Sequence, residues 1–165
     1  MIPSSPNITY EQQFCVINVV YKFILFNRAI VLTEIKNENK EDIYSSFLSK
    51  INNNHFRYYK NRTIECLDRH IHSVVLYYES NIVGYAHIDY EQYYWVGIYI
   101  NEEHRRNKNG TILMLYLLNY CKFSNIKTVH LSVDKTNVGA IRLYKKLQFQ
   151  VESERESCYI MSLYI

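Results

Sequence analysis

Arg105, Arg106 and Lys108 stand in a polar stretch, residues 101–110 (NEEHRRNKNG), between two apolar ones. The stretch before it, 95–100 (WVGIYI), is rich in β-branched and aromatic residues and reads as a strand. The stretch after it, 111–123 (TILMLYLLNYCKF), is apolar at Ile112, Leu113, Tyr116, Leu117 and Tyr120, a helical spacing. A strand that feeds a basic loop onto a helix N-terminus is an anion site. The first-turn N–H groups have no intrahelical acceptor, and the helix dipole favours negative charge there. The chemistry open to these residues is to hold a phosphate-bearing group, and a pyrophosphate is the expected occupant.

The elements that must position this loop follow from the rest of the chain. At 165 residues the chain is long enough for one domain with a real core. Its net charge of +3, mixed in sign along the chain, is too small to imply a nucleic-acid partner. No apolar run is long and uncharged enough to span a membrane, and no export signal is present, so neither a membrane nor a nucleic acid is expected as partner. Cys15, Cys66, Cys121 and Cys158 are scattered, with no CxxC pair, which reads as free thiols in a reducing compartment. A cytoplasmic location is the expectation, in a host cytoplasm if the source is viral. The 17 tyrosines beside four glycines and two prolines point to AT-rich coding more than to mechanism. Cys66, His70 and His72 fit no common zinc spacing, and no metal is expected.

Two apolar runs, 16–26 and 29–35, read as a possible hairpin. Ile43, Phe47, Leu48 and Ile51 share a helical face, and Ile64 and Leu67 suggest a second, short helix with Thr63 as N-cap. Residues 73–78, 82–90 and 94–100 are strands joined by short turns, an antiparallel meander. The helix 111–123 leads to a strand at 128–133 that must run parallel to its predecessor. A helix over 138–147 and strands at 151–154 and 157–164 close the order. The fold class is α/β (α+β), with a mixed sheet of six to seven strands and helices on both faces. Residues 1–165 form a single domain, and its end on the last strand is compatible with excision from a longer protein.

Two segments carry a resemblance. Arg105-Arg106-Asn107-Lys108-Asn109-Gly110 resembles the Arg/Gln-x-x-Gly-x-Gly/Ala signature of the GNAT superfamily of acetyl-coenzyme A-dependent N-acetyltransferases. Residues 134–149 (DKTNVGAIRLYKKLQF) resemble its Asn-x-x-Ala-x-x-x-Tyr-x-x-x-Gly-Phe segment through Asn137, Ala140, Tyr144 and Phe149. Lys108 and Gln148 stand where the family has glycine. If position 108 needs positive φ, a lysine there costs roughly 1–2 kcal/mol.

The resemblance implies a GNAT fold, acetyl-CoA as cofactor and a division of labour. The backbone of Ile98, Tyr99 and Ile100 would pair with the pantetheine amides. Amides of Arg105, Arg106, Asn107, Lys108, Asn109, Gly110 and Thr111 would cradle the pyrophosphate. Asn137 would contact the pantetheine arm, and Tyr144 would protonate the departing thiolate. The acceptor amine must be neutral, so a base is expected, direct or through water. His87 and Asp89 alternate onto one strand face and either could serve, with His87 preferred because an unperturbed imidazole titrates near neutrality.

Residues 56–62 (FRYYKNR), 66–73, 84–89 and 95–100 are similar to a subgroup that acetylates amino sugars for polysaccharide synthesis. That likeness implies a nucleotide-linked amino sugar as acceptor. Tyr58, Tyr85 and Trp95 would stack on a sugar or base, and Arg57 and Arg62 would meet a diphosphate. The alternatives are a peptide or protein amine, and a CoA-binding module with weak chemistry. The expected partner is thus a small-molecule amine, with the protein a monomer or homodimer, alone or beside a further domain of the same chain.

Overall fold

The structure, a computed structural model, describes residues 30–51 and 63–165. The first run of the expected hairpin and the 56–62 segment, with Arg57, Tyr58 and Arg62, lie outside the described residues. The described chain runs β1 (Ile30–Glu34), α1 (Lys40–Ser46), a 3-10 turn (Leu48–Lys50), α2 (Cys66–Arg69), β2 (His70–Tyr78), β3 (Asn81–Tyr90) and β4 (Tyr94–Ile100). A second 3-10 turn (Glu102–His104) leads to α3 (Asn109–Phe123), β5 (Thr128–Asp134), α4 (Val138–Lys146), β6 (Gln150–Glu154) and β7 (Cys158–Tyr164).

The strands form one seven-stranded mixed sheet in the order β1-β2-β3-β4-β5-β7-β6. All neighbours are antiparallel except β4 and β5, because α3 is the crossover between them. Thr63 is not the cap of α2: Glu65 holds that position, and the Thr63 hydroxyl donates to the Glu65 carboxylate.

Helices cover both faces. On one, Leu113, Met114 and Leu117 of α3 are fully buried with Ala86, Ile88, Val129 and Leu131, and α4 joins them through Tyr144. Burying each such large aliphatic side chain contributes roughly 1.5–3 kcal/mol. On the other face, Ile43, Phe47 and Leu67 pack against Val75, Tyr85 and Tyr99. Strand alternation therefore sorts β3 and β5: Ala86, Ile88, Val129 and Leu131 face α3 and α4, and Tyr85, His87 and His130 face the other way. A register shift between His70 and His72 breaks the alternation in β2. His70 stacks on His87 at 4.5 Å, whereas His72 stacks on Tyr120 of α3 at 3.9 Å.

Candidate active site

β3 and β4 pair along their whole length, from Tyr90 opposite Tyr94 to Gly84 opposite Ile100. On its other side β4 meets β5 at one register pair, Trp95 opposite His130. Beyond that pair the two parallel strands diverge, so the sheet opens as a fork between Val96–Ile100 and the C-terminal half of β5. Backbone groups along a strand are obligatory hydrogen-bonders. An extended molecule carrying amides can enter such a fork as an added strand.

The fork opens toward the start of α3. Lys108 is the N-cap of this 15-residue helix and provides no side-chain cap. Its carbonyl accepts from Ile112 N at 3.0 Å, which begins the helical ladder and leaves the amides of Asn109, Gly110 and Thr111 as first-turn donors. Lys108 has φ 63° and ψ 4°, the left-handed conformation that a glycine adopts without cost, and Arg106 also has φ 63°. Gln148, the other residue in a family glycine position, has φ 70°. Both replacements keep the backbone and accept its strain. Gly110 needs its small size instead. A Cβ there would stand 3.1 Å from Leu143 Cδ2 and 3.5 Å from Ile98 Cδ1, so α3, α4 and β4 converge on it.

Arg105 is not a free cation on this loop. Its Nε donates to Ile100 O at 3.1 Å and its Nη1 lies 3.4 Å from Glu102 Oε1, which ties the loop to the end of β4. Arg106 and Lys108 are exposed. Asn109 is buried, its Nδ2 donating to His104 O at 2.9 Å. With Asn107 these residues line an open cavity of about 610 Å³ that reaches Ile30 and Tyr78. That cavity lies on the β1–β2 flank of the helix start, and the fork lies on the β5 flank.

On α4, Tyr144 joins the core on the α3 face of the sheet. Its ring is buried, 5.8 Å from Phe149, and desolvation raises its phenol well above the ordinary value. The phenol is therefore neutral and protonated at neutral pH. Asn137 caps α4, its Oδ1 accepting from Ala140 N at 3.1 Å, and its Nδ2 takes no part in that cap.

The opposite face of the fork holds histidines. His87 is 1% exposed, stacked on His70 at 4.5 Å and on Tyr85 at 5.4 Å. It lies opposite Gly97, and its ring covers that residue so closely that a Cβ would come within 2.4 Å of Cε1. Asp89 is buried opposite Trp95, with Oδ1 accepting from Tyr90 N at 2.8 Å. Tyr85 is not available to stack on a substrate. It is fully buried, and its hydroxyl is bound to His70 Nδ1 at 3.0 Å. Trp95 is half-buried at the apex of the fork, 5.7 Å from the ring of His130.

A model of the acetyltransferase (GNAT) family matches residues 33–149. The chain belongs to that family. It is an acetyl-CoA-dependent N-acetyltransferase. No curated protein sequence matches it. Solved structures share the fold. A GNAT acetyltransferase from Streptococcus pneumoniae is 19% identical, with a TM-score of 0.71 over 82% of this chain and 99% of its own. Arabidopsis thaliana Naa50, in complex with the bisubstrate analogue CoA-Ac-MVNAL, is 18% identical, with a TM-score of 0.66 over 83% of this chain and 99% of its own. The PaiA N-acetyltransferase of Thermoplasma acidophilum, in complex with coenzyme A, is 17% identical, with a TM-score of 0.62 over 82% and 99%.

The residues of this acetyltransferase fit a coenzyme A. The fork, the uncapped start of α3 and the glycine at position 110 are what an amide-bearing arm ending in a pyrophosphate needs. One residue in this region escaped sequence reasoning. His130, in TVHLSV, sits at the apex of the fork, 7% exposed, between the rings of Tyr93 at 4.8 Å and Trp95. Its Nε2 lies 3.3 Å from Glu152 Oε2, and its buried Nδ1 has no partner among the described residues. A lone histidine in a strand pattern carries no motif. The register pair with Trp95 is what singles it out.

Among the described residues, no group of three metal-ligating side chains comes together, and no helix is long and apolar enough to cross a membrane.

Proposed function

We propose that this acetyltransferase acts on the primary amine of a small molecule, a nucleotide-linked amino sugar, with the reaction carried out at the β4–β5 fork. The single register pair Trp95–His130 is the observation that carries the reading. It sets an open strand edge, two aromatic rings and a histidine around one point.

In this reading the backbone of Ile98, Tyr99 and Ile100 holds the cofactor's arm. The amides of Arg106, Asn107, Lys108, Asn109, Gly110 and Thr111 hold its pyrophosphate. Arg105 acts from behind, by fixing the loop to Ile100. The Nδ2 of Asn137 is the donor to the arm. Acetyl-CoA supplies an acetyl group activated as a thioester. Tyr144 lies on the α3–α4 face and donates its proton to the leaving sulfur. The base lies on the other face, where the amine arrives. His87 and His130 are both there. We assign the role to His130, because it stands at the apex, while His87 is one strand away and closes over Gly97. Asp89 then serves the β3–β4 turn through Tyr90.

Tyr93 and Trp95 offer aromatic faces to a sugar ring. Arg57, Tyr58 and Arg62 are the residues proposed to meet a nucleoside diphosphate. A second reading has a peptide amine as acceptor. It draws on the fold shared with Naa50, whose bound analogue carries MVNAL. A panel of UDP-, dTDP- and GDP-linked amino sugars and short peptides, scored for thiol release from acetyl-CoA, separates the two. Turnover of an amino sugar is expected. Turnover of peptides alone would replace the sugar with the second reading.

A further inference from the structure

We propose that Glu152 is a positioning residue for His130, holding the imidazole in the tautomer whose Nδ1 carries no proton and can accept one from the acceptor amine. The proposal rests on the assignment of His130 as base.

Glu152 sits two strands away from His130 in the sheet, since β7 lies between β5 and β6. Its reach depends on two local features. The first is a register break. Val151 pairs with Met161 and Ser153 with the very next residue, Ile160, so Glu152 is an extra residue in β6. Such a bulge re-aims a side chain and is found beside functional sites at sheet edges. Val151 is opposite Met161, which packs with α3 and α4, so Glu152 turns to the face that carries His130. The second feature is the small residue between them. Ser162 of β7 pairs with His130 on one side and Gln150 on the other, and a serine leaves room for a carboxylate to cross over it.

The contact is 3.3 Å from Glu152 Oε2 to His130 Nε2. A carboxylate only accepts, so Nε2 carries the proton and the neutral ring keeps its lone pair on Nδ1. That Nδ1 is buried and finds no partner among the described residues. A buried acceptor without a donor is a cost that a structure keeps where a ligand can meet it. The other ring neighbours, Tyr93 and Trp95, contribute aromatic faces. Among the described residues, the titratable groups in contact with the imidazole are Glu152 and Tyr93. The carboxylate is half-exposed, so replacing it opens no cavity in the core.

The test is nitrogen-15 NMR of the His130 ring, with steady-state kinetics, on Glu152→Ala and Glu152→Gln. In the native protein the neutral ring is expected wholly as the Nε2–H tautomer. In Glu152→Ala the Nδ1–H tautomer should appear at a comparable population, with kcat lowered roughly tenfold and KM for acetyl-CoA unchanged. Glu152→Gln keeps an accepting carbonyl, so it should restore the tautomer and most of the turnover. An unchanged tautomer in Glu152→Ala overturns the proposal, as does a shifted tautomer with unchanged kcat. The assignment of the base is tested separately by His130→Ala. Full turnover there removes the assignment, whatever the tautomer of the native ring.

Discussion

Tyr144→Phe separates a catalytic phenol from a core one. The substitution removes one oxygen and keeps the ring that packs 5.8 Å from Phe149. No hydrogen bond to the hydroxyl is present among the described residues, so its removal breaks none and opens only a small gap. Stability should change by less than about 1 kcal/mol. The loss in turnover should be far larger. A positioned proton donor contributes roughly 10²–10⁴ in rate, about 3–5 kcal/mol of transition-state stabilisation. Burial raises the phenol's titration well above its ordinary value. Tyr144 therefore adds no alkaline limb to the rate profile below about pH 10. The assay is thiol release with a chromogenic disulfide at saturating acetyl-CoA and amine, beside KM for acetyl-CoA and the melting temperature. A fall of at least tenfold in kcat with unchanged KM and melting temperature is expected. Wild-type kcat would refute the role and return Tyr144 to the core.

Gln148→Gly should relieve the left-handed strain at φ 70° and raise stability by roughly 1 kcal/mol, or about 2–4 °C in melting temperature. The equivalent change at Lys108 mixes that gain with loss of a cation at the cofactor loop, so position 148 is the cleaner probe. Gly97→Ala would set a Cβ 2.4 Å from His87 Cε1, against a ring held by His70 and Tyr85. Overpacking of this kind costs roughly 1–3 kcal/mol, and a denaturant midpoint equal to wild type would show that the ring moves freely. Burial raises Tyr116 and Tyr144 and pushes Cys121 up to about 12. Each folded value lies above the unfolded one, so their contribution is complete at neutral pH. It is lost as pH rises past the unfolded values near 9–10, at about 1.4 kcal/mol per group per pH unit. Denaturant titrations from pH 8 to 11 should follow that slope, and a flat profile would contradict the burial.

The parts of this protein that were legible in the sequence are those that repeat with a period or sit in a spaced motif. Ile112, Leu113 and Leu117 announced α3, and Asn137, Ala140, Tyr144 and Phe149 announced α4 and its neighbour in the family pattern. The helix begins at Asn109, two residues before the apolar run at 111–123, because Asn109 and Gly110 are poor helix formers held there by the loop. The left-handed positions at Lys108 and Gln148 carry no glycine of their own, and only the resemblance to the family pattern marks them. Tyr85 is expected to stack on a substrate but is buried against His70, because an aromatic residue in a strand carries no mark of which face is covered. His130 and Glu152 needed the sheet. One is defined by where two distant strands cease to pair, and the other by a bulge that no local pattern encodes.

The central claim is that coenzyme A lies in the β4–β5 fork with its pyrophosphate on the start of α3. Amide hydrogen exchange, with and without coenzyme A, tests it residue by residue. Slowed exchange is expected in two separate segments, 97–100 on β4 and 106–111 at the helix start, with little change on β1 and β2. Protection confined to the cavity flank at Ile30 and Tyr78, with 97–100 exchanging as in the free protein, would contradict it.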